Sequence, residues 1–501
     1  MSDKTINKKR LAKNTFMLYI RMLLVMAVTF FTTRVVLDKL GVSDYGIYNT
    51  IAGVVVMFAF INKAMVTTTQ RFLNFYLGKG DLEGAKKNFS ISLLVHVAIG
   101  LLMIVLTEGL GLWFLNCKMS FPTERYDAAF WTLQLSILIT FLNILRTPYN
   151  ACIIAYEKMN FYAYVSIAEV ILKLLIVYAL TITQYDRLIV YNILHLFISV
   201  SLLLVYKIYC NYYYTISRFD YIWDKNLFKS LLNFSGFSLL GNAANIGATH
   251  GISLILNTFV GVVANASVGV SNQIKAGIYA FITSFQIAFN PQIVKSYAQQ
   301  EFEPLRLLVY QTSRFSYYLM LLLSLPVLVH CQDILDFWLK EVPTFAHDFC
   351  VWTILTTLIL TLEEPLWIVV QASGNIKKYQ IFCSIILLAN LPIACLLLKL
   401  GFPPVYVYIS RFILNIGMYI FRFCYVKPMI GLNTYEYIKK LFQPLFFVTL
   451  TAVFIVYAIK LLELHFIISS ILMIMVNMVV IGVIGVNSKE RSMIFNILRK
   501  R

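Results

Sequence analysis

Charged residues are scarce in this chain. Asp, Glu, Lys and Arg make up 13% of the 501 residues, and hydrophobic residues make up 59%. Soluble globular domains hold about 25% charged and about 45–50% apolar residues, because their water-facing surface must be polar. The composition therefore excludes a soluble enzyme and a disordered chain, and it predicts an integral membrane protein.

Several chemical motifs are also missing. The eight cysteines form no C-x-x-C pair and mostly lie in apolar stretches, and the six histidines have no metal-ligand spacing. This pattern argues against a zinc site and against a disulfide framework, so we expect the cysteines to be packing residues. No G-x-x-x-x-G-K-[ST] loop is present, which argues against an ATP-driven motor. We expect no metal and no cofactor.

Long apolar stretches make up most of the sequence. A helix that crosses the hydrocarbon needs about 20 mostly apolar residues. The sequence predicts an all-α polytopic membrane protein with about fourteen such helices. The predicted spans are 14–36, 46–66, 90–114, 126–150, 161–183, 187–209, 231–256, 260–292, 309–332, 349–371, 378–400, 404–426, 441–461 and 465–487.

The distribution of Lys and Arg predicts the orientation. Of the 42 basic residues, 28 fall in the two termini and in every second connection with the adjoining span ends, 7 in or beside the other connections, and 7 deeper inside spans. Because basic residues favour the cytoplasmic side, we expect both termini to be cytoplasmic. The net charge of +18 then sets topology, and we expect no nucleic-acid partner.

An internal duplication is visible. The stretch Trp131–Thr140 (WTLQLSILIT) returns 221 residues later as Trp352–Thr361 (WTILTTLILT), and Pro148 is similarly matched by Pro365. The copies lie on the fourth and tenth predicted spans, an offset of six spans, so both enter the membrane in the same direction, as in the parallel repeats of secondary transporters. The predicted domains are a six-helix bundle (1–209), a cytoplasmic interfacial linker (210–230), a second six-helix bundle (231–426) and two further helices with a basic tail (427–501).

Charged side chains inside spans are candidates for transport, because they are costly in lipid and tend to face a cavity or a partner. Lys173 lies four residues after Glu169, so an ion pair within one helix is the competing interpretation. Arg34 and Arg411 lie close enough to the outer membrane boundary to reach water, and Arg146 and Arg314 to the inner one. The predicted substrate-binding residues are Arg21, Lys173, Asn242, Asn272 and Lys275.

Two adjacent carboxylates, Glu363 and Glu364, precede Pro365 in the tenth predicted helix, 349–371. Carboxylates in a low-dielectric setting can titrate near neutrality, so both residues are candidates for coupling transport to an ion gradient. The alternative is an ion pair with Arg314 or Arg411 of a neighbouring helix.

Short motifs in the N-terminal third resemble a known family. They are Lys13-Asn14-Thr15, the predicted turn Leu40–Tyr48 before helix two, Arg71-Phe72, and Gly78–Asp81. Glycines in the turn permit a tight reversal, and Asp44 is placed to cap the next helix. These features are similar to the Wzx-like polysaccharide flippases of the multidrug/oligosaccharidyl-lipid/polysaccharide exporter superfamily.

The resemblance implies a transporter rather than an enzyme. Such a protein flips a polyprenyl-diphosphate-linked oligosaccharide across the bacterial inner membrane by alternating access, for polysaccharides such as the O-antigen of lipopolysaccharide. Its implied partners are that glycan substrate, membrane lipids, and polymerase and glycosyltransferases of the same pathway. Two alternatives stay open: an ion-coupled multidrug antiporter of the same fold, and a membrane polysaccharide polymerase or glycosyltransferase.

Overall fold

The computed structural model describes residues 8–56, 59–117, 123–180, 182–221, 224–339, 342–486 and 490. Over these residues the chain is helical and contains no strand. The helices are α1 (Lys8–Val56), α2 (Ala59–Lys79), α3 (Leu82–Cys117), α4 (Tyr126–Ala155), α5 (Met159–Ala179), α6 (Arg187–Tyr213), α7 (Lys225–Phe259), α8 (Val262–Ala298), α9 (Phe302–Val329), α10 (Cys331–Trp338), α11 (Ala346–Ser373), α12 (Lys377–Lys399), α13 (Val405–Ile430), α14 (Thr434–Tyr437), α15 (Gln443–Lys460) and α16 (Phe466–Val480).

Two π-helical segments lengthen the last helices. Ile438–Phe442 joins α14 to α15, and Ile481–Gly485 extends α16. Within the described residues, ten helical segments are long and apolar enough to cross a membrane. They are α3, α4, α5, α6, α9, α11, α12, α13, the joined α14–α15, and the extended α16. The chain is a multi-pass membrane protein, and the predicted all-α polytopic fold is confirmed.

The predicted turn at Leu40–Tyr48 is wrong. α1 continues through it as one helix of 49 residues, about 74 Å long at 1.5 Å per residue. No proline interrupts this stretch, and a glycine costs a helix only about 1 kcal/mol. Asp44 caps no new helix, because its carboxylate binds Arg125 instead.

The chain divides into an N-terminal unit, Ala12–Leu239, and a C-terminal unit that begins at Leu240. The division falls within α7. The connection before α7 contains a 3₁₀ turn, Thr215–Ser217, and is tied to α3 by an ion pair between Asp220 and Lys86 at 2.9 Å. The predicted linker, 210–230, thus begins inside α6 and ends inside α7.

The duplicated tryptophan motif occupies equivalent helices in the two units. In the N-terminal unit α4 packs against α2, α3, α5 and α6, and in the C-terminal unit α11 packs against α8, α9 and α13. Each copy of the motif therefore lies on the helix around which its own unit is assembled. The parallel orientation of the two copies stays a prediction.

Apolar side chains fill the interior of each unit. In the N-terminal unit a buried cluster from α1, α4, α5 and α6 centres on Leu133, Val177 and Leu188. A second cluster there includes Cys152 and Cys210, and in the C-terminal unit Cys331 packs with Cys350. These four thiols are free and buried, so they pack as small apolar residues.

Candidate functional site

The N-terminal unit contains a polar cavity of about 470 Å³ between α1, α5 and α6. Its ionisable lining includes Arg21 from α1, Glu169 and Lys173 from α5, and His195 from α6. Such a volume lies within the range of small-molecule binding sites. Two of the predicted substrate-binding residues, Arg21 and Lys173, thus share one cavity.

Glu169 is shared between two cations. Lys173 Nζ lies 2.7 Å from Glu169 Oε1, one helical turn away on α5. Arg146 of α4 donates a hydrogen bond to the other oxygen, Oε2, at 3.2 Å. The ion pair between Lys173 and Glu169 that the sequence offered as an alternative is therefore present. Arg146, which we expected to reach water at the inner boundary, instead has a carboxylate partner on the neighbouring helix.

No such counter-ion of Arg21 lies among the residues that the structure describes. Its guanidinium lies over the ring of Tyr162, 4.4 Å from the centroid. Among the residues that the structure describes, Arg21 has no hydrogen-bond acceptor and no ion-pair partner, and its Nε is buried. The surroundings of the cavity therefore hold three cations, Arg21, Arg146 and Lys173, and the carboxylate of Glu169.

His195 is a cavity residue that the sequence analysis missed. Its ring lies 4.5 Å from that of Tyr191, which in turn contacts Tyr48 edge-on at 5.2 Å. Its Nε2 atom is buried and has no hydrogen-bond partner in the described part of the chain. Metal-ligand spacing, the criterion applied to the histidines, carries no information about an imidazole that faces another helix.

The other three predicted substrate-binding residues belong to the C-terminal unit. Lys275 lies partly buried on α8, within electrostatic range of Arg411 on α13. Neither cation has an ion-pair partner among the described residues. Asn272 is exposed on α8, and Asn242 is half-buried on α7. The role of all three as ligands stays a prediction.

Glu363 has an ion-pair partner that the sequence analysis did not consider. Its Oε2 lies 3.0 Å from Nη1 of Arg422, and both side chains are largely buried. Of the two partners that the alternative interpretation named, Arg314 binds Glu490 at 2.6 Å, and Arg411 lies within electrostatic range of Lys275. Arg422 lies near the end of the predicted span 404–426, and α13, which continues to Ile430, keeps this residue inside the helix. Glu364 is only half-buried, and ion coupling by either carboxylate stays a prediction.

A second charged cluster lies where α4 and α6 begin. Arg125 donates hydrogen bonds to both oxygens of Asp44, at 2.9 and 2.6 Å, and also binds Asp186. Partial burial acts to raise the pKa of Asp186, but hydrogen bonds from Arg125 and from the backbone N–H groups of Ile189 and Leu188 lower it below its ordinary value. The cluster joins three helices of the N-terminal unit.

Residues 250–396 match the MatE family. This segment is less than a third of the chain. None of the curated proteins matches this chain in sequence. Solved structures match over most of its length.

A MOP superfamily transporter from Pyrococcus furiosus, noted for a reverse polarity of its binding pocket, gives a TM-score of 0.69 at 13% identity, covering 86% of this chain and 99% of its own. An outward-facing multidrug resistance MATE family transporter of the same superfamily gives 0.68 at 13%, covering 86% and 99%. A MATE protein in a straight conformation gives 0.69 at 14%, covering 85% and 99%.

Identities this low show a shared fold. The chain therefore carries a MatE segment within the fold of MATE transporters of the MOP superfamily. The superfamily resemblance seen in the sequence is supported at this level, and the Wzx-like subtype stays a prediction.

Proposed function

We propose that the protein is a secondary transporter that moves its substrate across the membrane by alternating access. The observation that carries this proposal is the polar cavity with Arg21, Glu169 and Lys173 inside a bundle of membrane-spanning helices. Charges at bilayer depth are costly and are typical of substrate or ion pathways. The shared fold supports transport, since the matching structures include transporters and no enzyme among those compared above.

The first candidate is an ion-coupled multidrug antiporter. It is supported by the fold, since a multidrug resistance transporter matches over 86% of the chain. A site for organic cations needs carboxylates to attract them. Glu169 lines the cavity but already binds two cations. The candidates for ion coupling are Glu363, which is paired with Arg422, and Glu364.

The second candidate is the flippase for a polyprenyl-diphosphate-linked oligosaccharide. The observation in its favour is the excess of positive charge around the cavity, because Arg and Lys bind phosphate strongly. For the Pyrococcus furiosus transporter, a reverse polarity of the pocket was taken to suggest a different function. Here the excess of positive charge favours an anionic substrate. The flippase candidate carries with it the bacterial inner-membrane location and the polymerase and glycosyltransferase partners implied by the family resemblance.

A deletion strain with two measurements separates the candidates. Increased sensitivity to cationic drugs supports antiport, whereas loss of surface glycan with accumulation of cytoplasmic-side lipid-linked oligosaccharide supports the flippase. Complementation with the wild-type gene should reverse the phenotype of the deletion. Complementation with the Arg21→Ala variant should not. A deletion that changes neither phenotype, in a strain where the protein is shown to be made, would contradict both candidates.

A further inference from the structure

Glu169 is held between two cations, as a bound anionic ligand would be. Its two carboxylate oxygens are used separately: Oε1 faces Lys173 at 2.7 Å and Oε2 faces Arg146 at 3.2 Å. A carboxylate that bridges two cations occupies the position that an anionic substrate group would take. Because the bridge is divided between the two oxygens, one cation can leave while the other still neutralises Glu169.

Lys173 is the cation that is free to leave. Its side chain is 37% exposed, whereas those of Arg146 and Glu169 are 21% and 22% exposed. Lys173 also lines the cavity, and Arg146 does not. A lysine ammonium on a flexible stem can turn to a new acceptor more readily than a guanidinium held between helices.

Arg21 supplies the second positive charge on the cavity wall. Within the described chain it contacts the Tyr162 ring and no carboxylate. A cation in a low-dielectric setting is stabilised by an opposite charge, so an uncompensated guanidinium favours binding of an anion. The hydroxyl groups of Thr32 and Ser166 line the same cavity, but each already donates its proton to a backbone carbonyl, so Arg21 and Lys173 are the donors that an anion would meet.

We propose that Glu169 is a built-in counter-ion, which an anionic ligand replaces at Lys173 when it binds between Lys173 and Arg21. The ligand class is a phosphate ester or diphosphate, which offers several charged oxygens to two cations at once. Glu169 then stays paired with Arg146, so no carboxylate is left without a partner. This inference rests on the proposed transport function and adds how its site recognises and releases the substrate.

Binding to the full-length protein in nanodiscs of neutral lipid tests the exchange. The probes are inorganic pyrophosphate, added from solution, and dodecyl phosphate, incorporated in the bilayer. Glu169→Gln should tighten binding about tenfold by freeing Lys173, and Lys173→Gln and Arg21→Gln should each weaken it about tenfold or more, as for loss of one charge-assisted contact. Binding of both probes would indicate recognition of the phosphate itself, and binding of dodecyl phosphate alone would indicate recognition of a lipid headgroup. Either result supports the proposal if Glu169→Gln binds more tightly than the wild type, and Lys173→Gln and Arg21→Gln more weakly.

A matched control is available in the same unit. Glu108 of α3 accepts hydrogen bonds from Gln134 of α4 at 2.8 and 3.1 Å and does not line the cavity. Glu108→Gln should leave the affinity unchanged. Glu169→Gln that folds, by its thermal unfolding midpoint, and binds no more tightly than the wild type would overturn the exchange, as would Lys173→Gln with unchanged affinity.

The inference and the proposed function fail differently. Anion binding in the predicted order, without flux in proteoliposomes, would leave the exchange intact and contradict transport. Transport of a cationic drug, with no binding of either probe to the wild type, would overturn the exchange and leave transport standing.

Discussion

Arg125 binds one carboxylate from α1 and another from the start of α6. The side chains of Arg125, Asp44 and Asp186 are 27%, 16% and 29% exposed, so solvent screens the cluster in part. Charge-assisted hydrogen bonds of this kind contribute roughly 1 kcal/mol each when partly solvated. We expect Arg125→Ala to lower the midpoint of thermal unfolding in detergent, and an unchanged midpoint would contradict a stabilising role.

Asp186 makes this stability depend on pH. Because its folded-state pKa lies below the ordinary value of 3.8, its contribution is complete above that value and is lost as the pH falls through the folded pKa. Asp186→Asn should therefore be less stable than the wild type near neutrality, and the gap should close on acidification. Unfolding midpoints across this range check the prediction. A gap that widens in acid would contradict it, and Glu436→Gln, at an exposed pair with Lys440, serves as the control.

The pair of Glu363 and Arg422 is buried, so removing one partner is more damaging than removing both. Glu363→Gln leaves the guanidinium without a counter-charge, which costs about 3–5 kcal/mol in buried pairs. Adding Arg422→Gln should recover part of this loss. A double-mutant cycle of unfolding midpoints measures the coupling, and strictly additive effects would show that the two side chains do not stabilise each other.

Residue patterns predicted contacts within a helix and missed contacts between helices. The spacing of Glu169 and Lys173 placed them one turn apart, and the structure pairs them. Nothing in the sequence indicated that Arg146 and Arg422 would turn inward to a carboxylate on another helix. Their partners depend on helix rotation, which the hydrophobic pattern of a nearly all-apolar span does not determine.

Close packing between helices depends on particular glycines. A Cβ atom at Gly241 of α7 would lie 1.3 Å from Gln380 Nε2 of α12 and 3.1 Å from its Cγ. At Gly247, one Leu388 carbon at 3.8 Å is the nearest neighbour among the described atoms. We expect Gly241→Ala to destabilise the protein by about 1–3 kcal/mol through overpacking, and Gly247→Ala to be neutral or slightly stabilising through helix propensity. Equal unfolding midpoints for the two variants would contradict this account.

Spans were predicted well where they are apolar, and less well where they are polar. The ten apolar segments correspond to predicted helices, because a run of about 20 apolar residues has one structural solution in lipid. The prediction failed for α1, which continues through the expected turn at Leu40–Tyr48. Glycine, serine and aspartate are typical of turns in soluble proteins, but inside a helix they only lower the helix propensity slightly. The distinction requires knowledge of what lies beside the helix, here Arg125.

For the molecule as a whole, the all-helical membrane fold could be predicted from the sequence, and the location of the cavity could not. Composition and the tryptophan motif indicated two helical bundles. The cavity described here lies within the N-terminal unit, where α1, α5 and α6 meet. Its position depends on where packed side chains leave space, and no motif in the sequence marks that space.

The orientation of the whole chain is a further prediction. The excess of basic residues in alternate connections places both termini in the cytoplasm. A reporter that is active only outside the cytoplasm should be inactive when it is fused after Arg501. It should be active when it is inserted near Gln184, in the connection between α5 and α6. The reverse pattern would show that the chain is inserted the other way.

Flux into proteoliposomes tests whether the cation-lined cavity of the N-terminal unit is a transport site. The substrates are a fluorescent long-chain alkyl phosphate and a matched alkyl ammonium, and the proteins are the wild type and Arg21→Ala. We expect the wild type to move the phosphate and the variant to lose this activity. Transport of the ammonium alone, at the same rate in both proteins, would contradict this expectation.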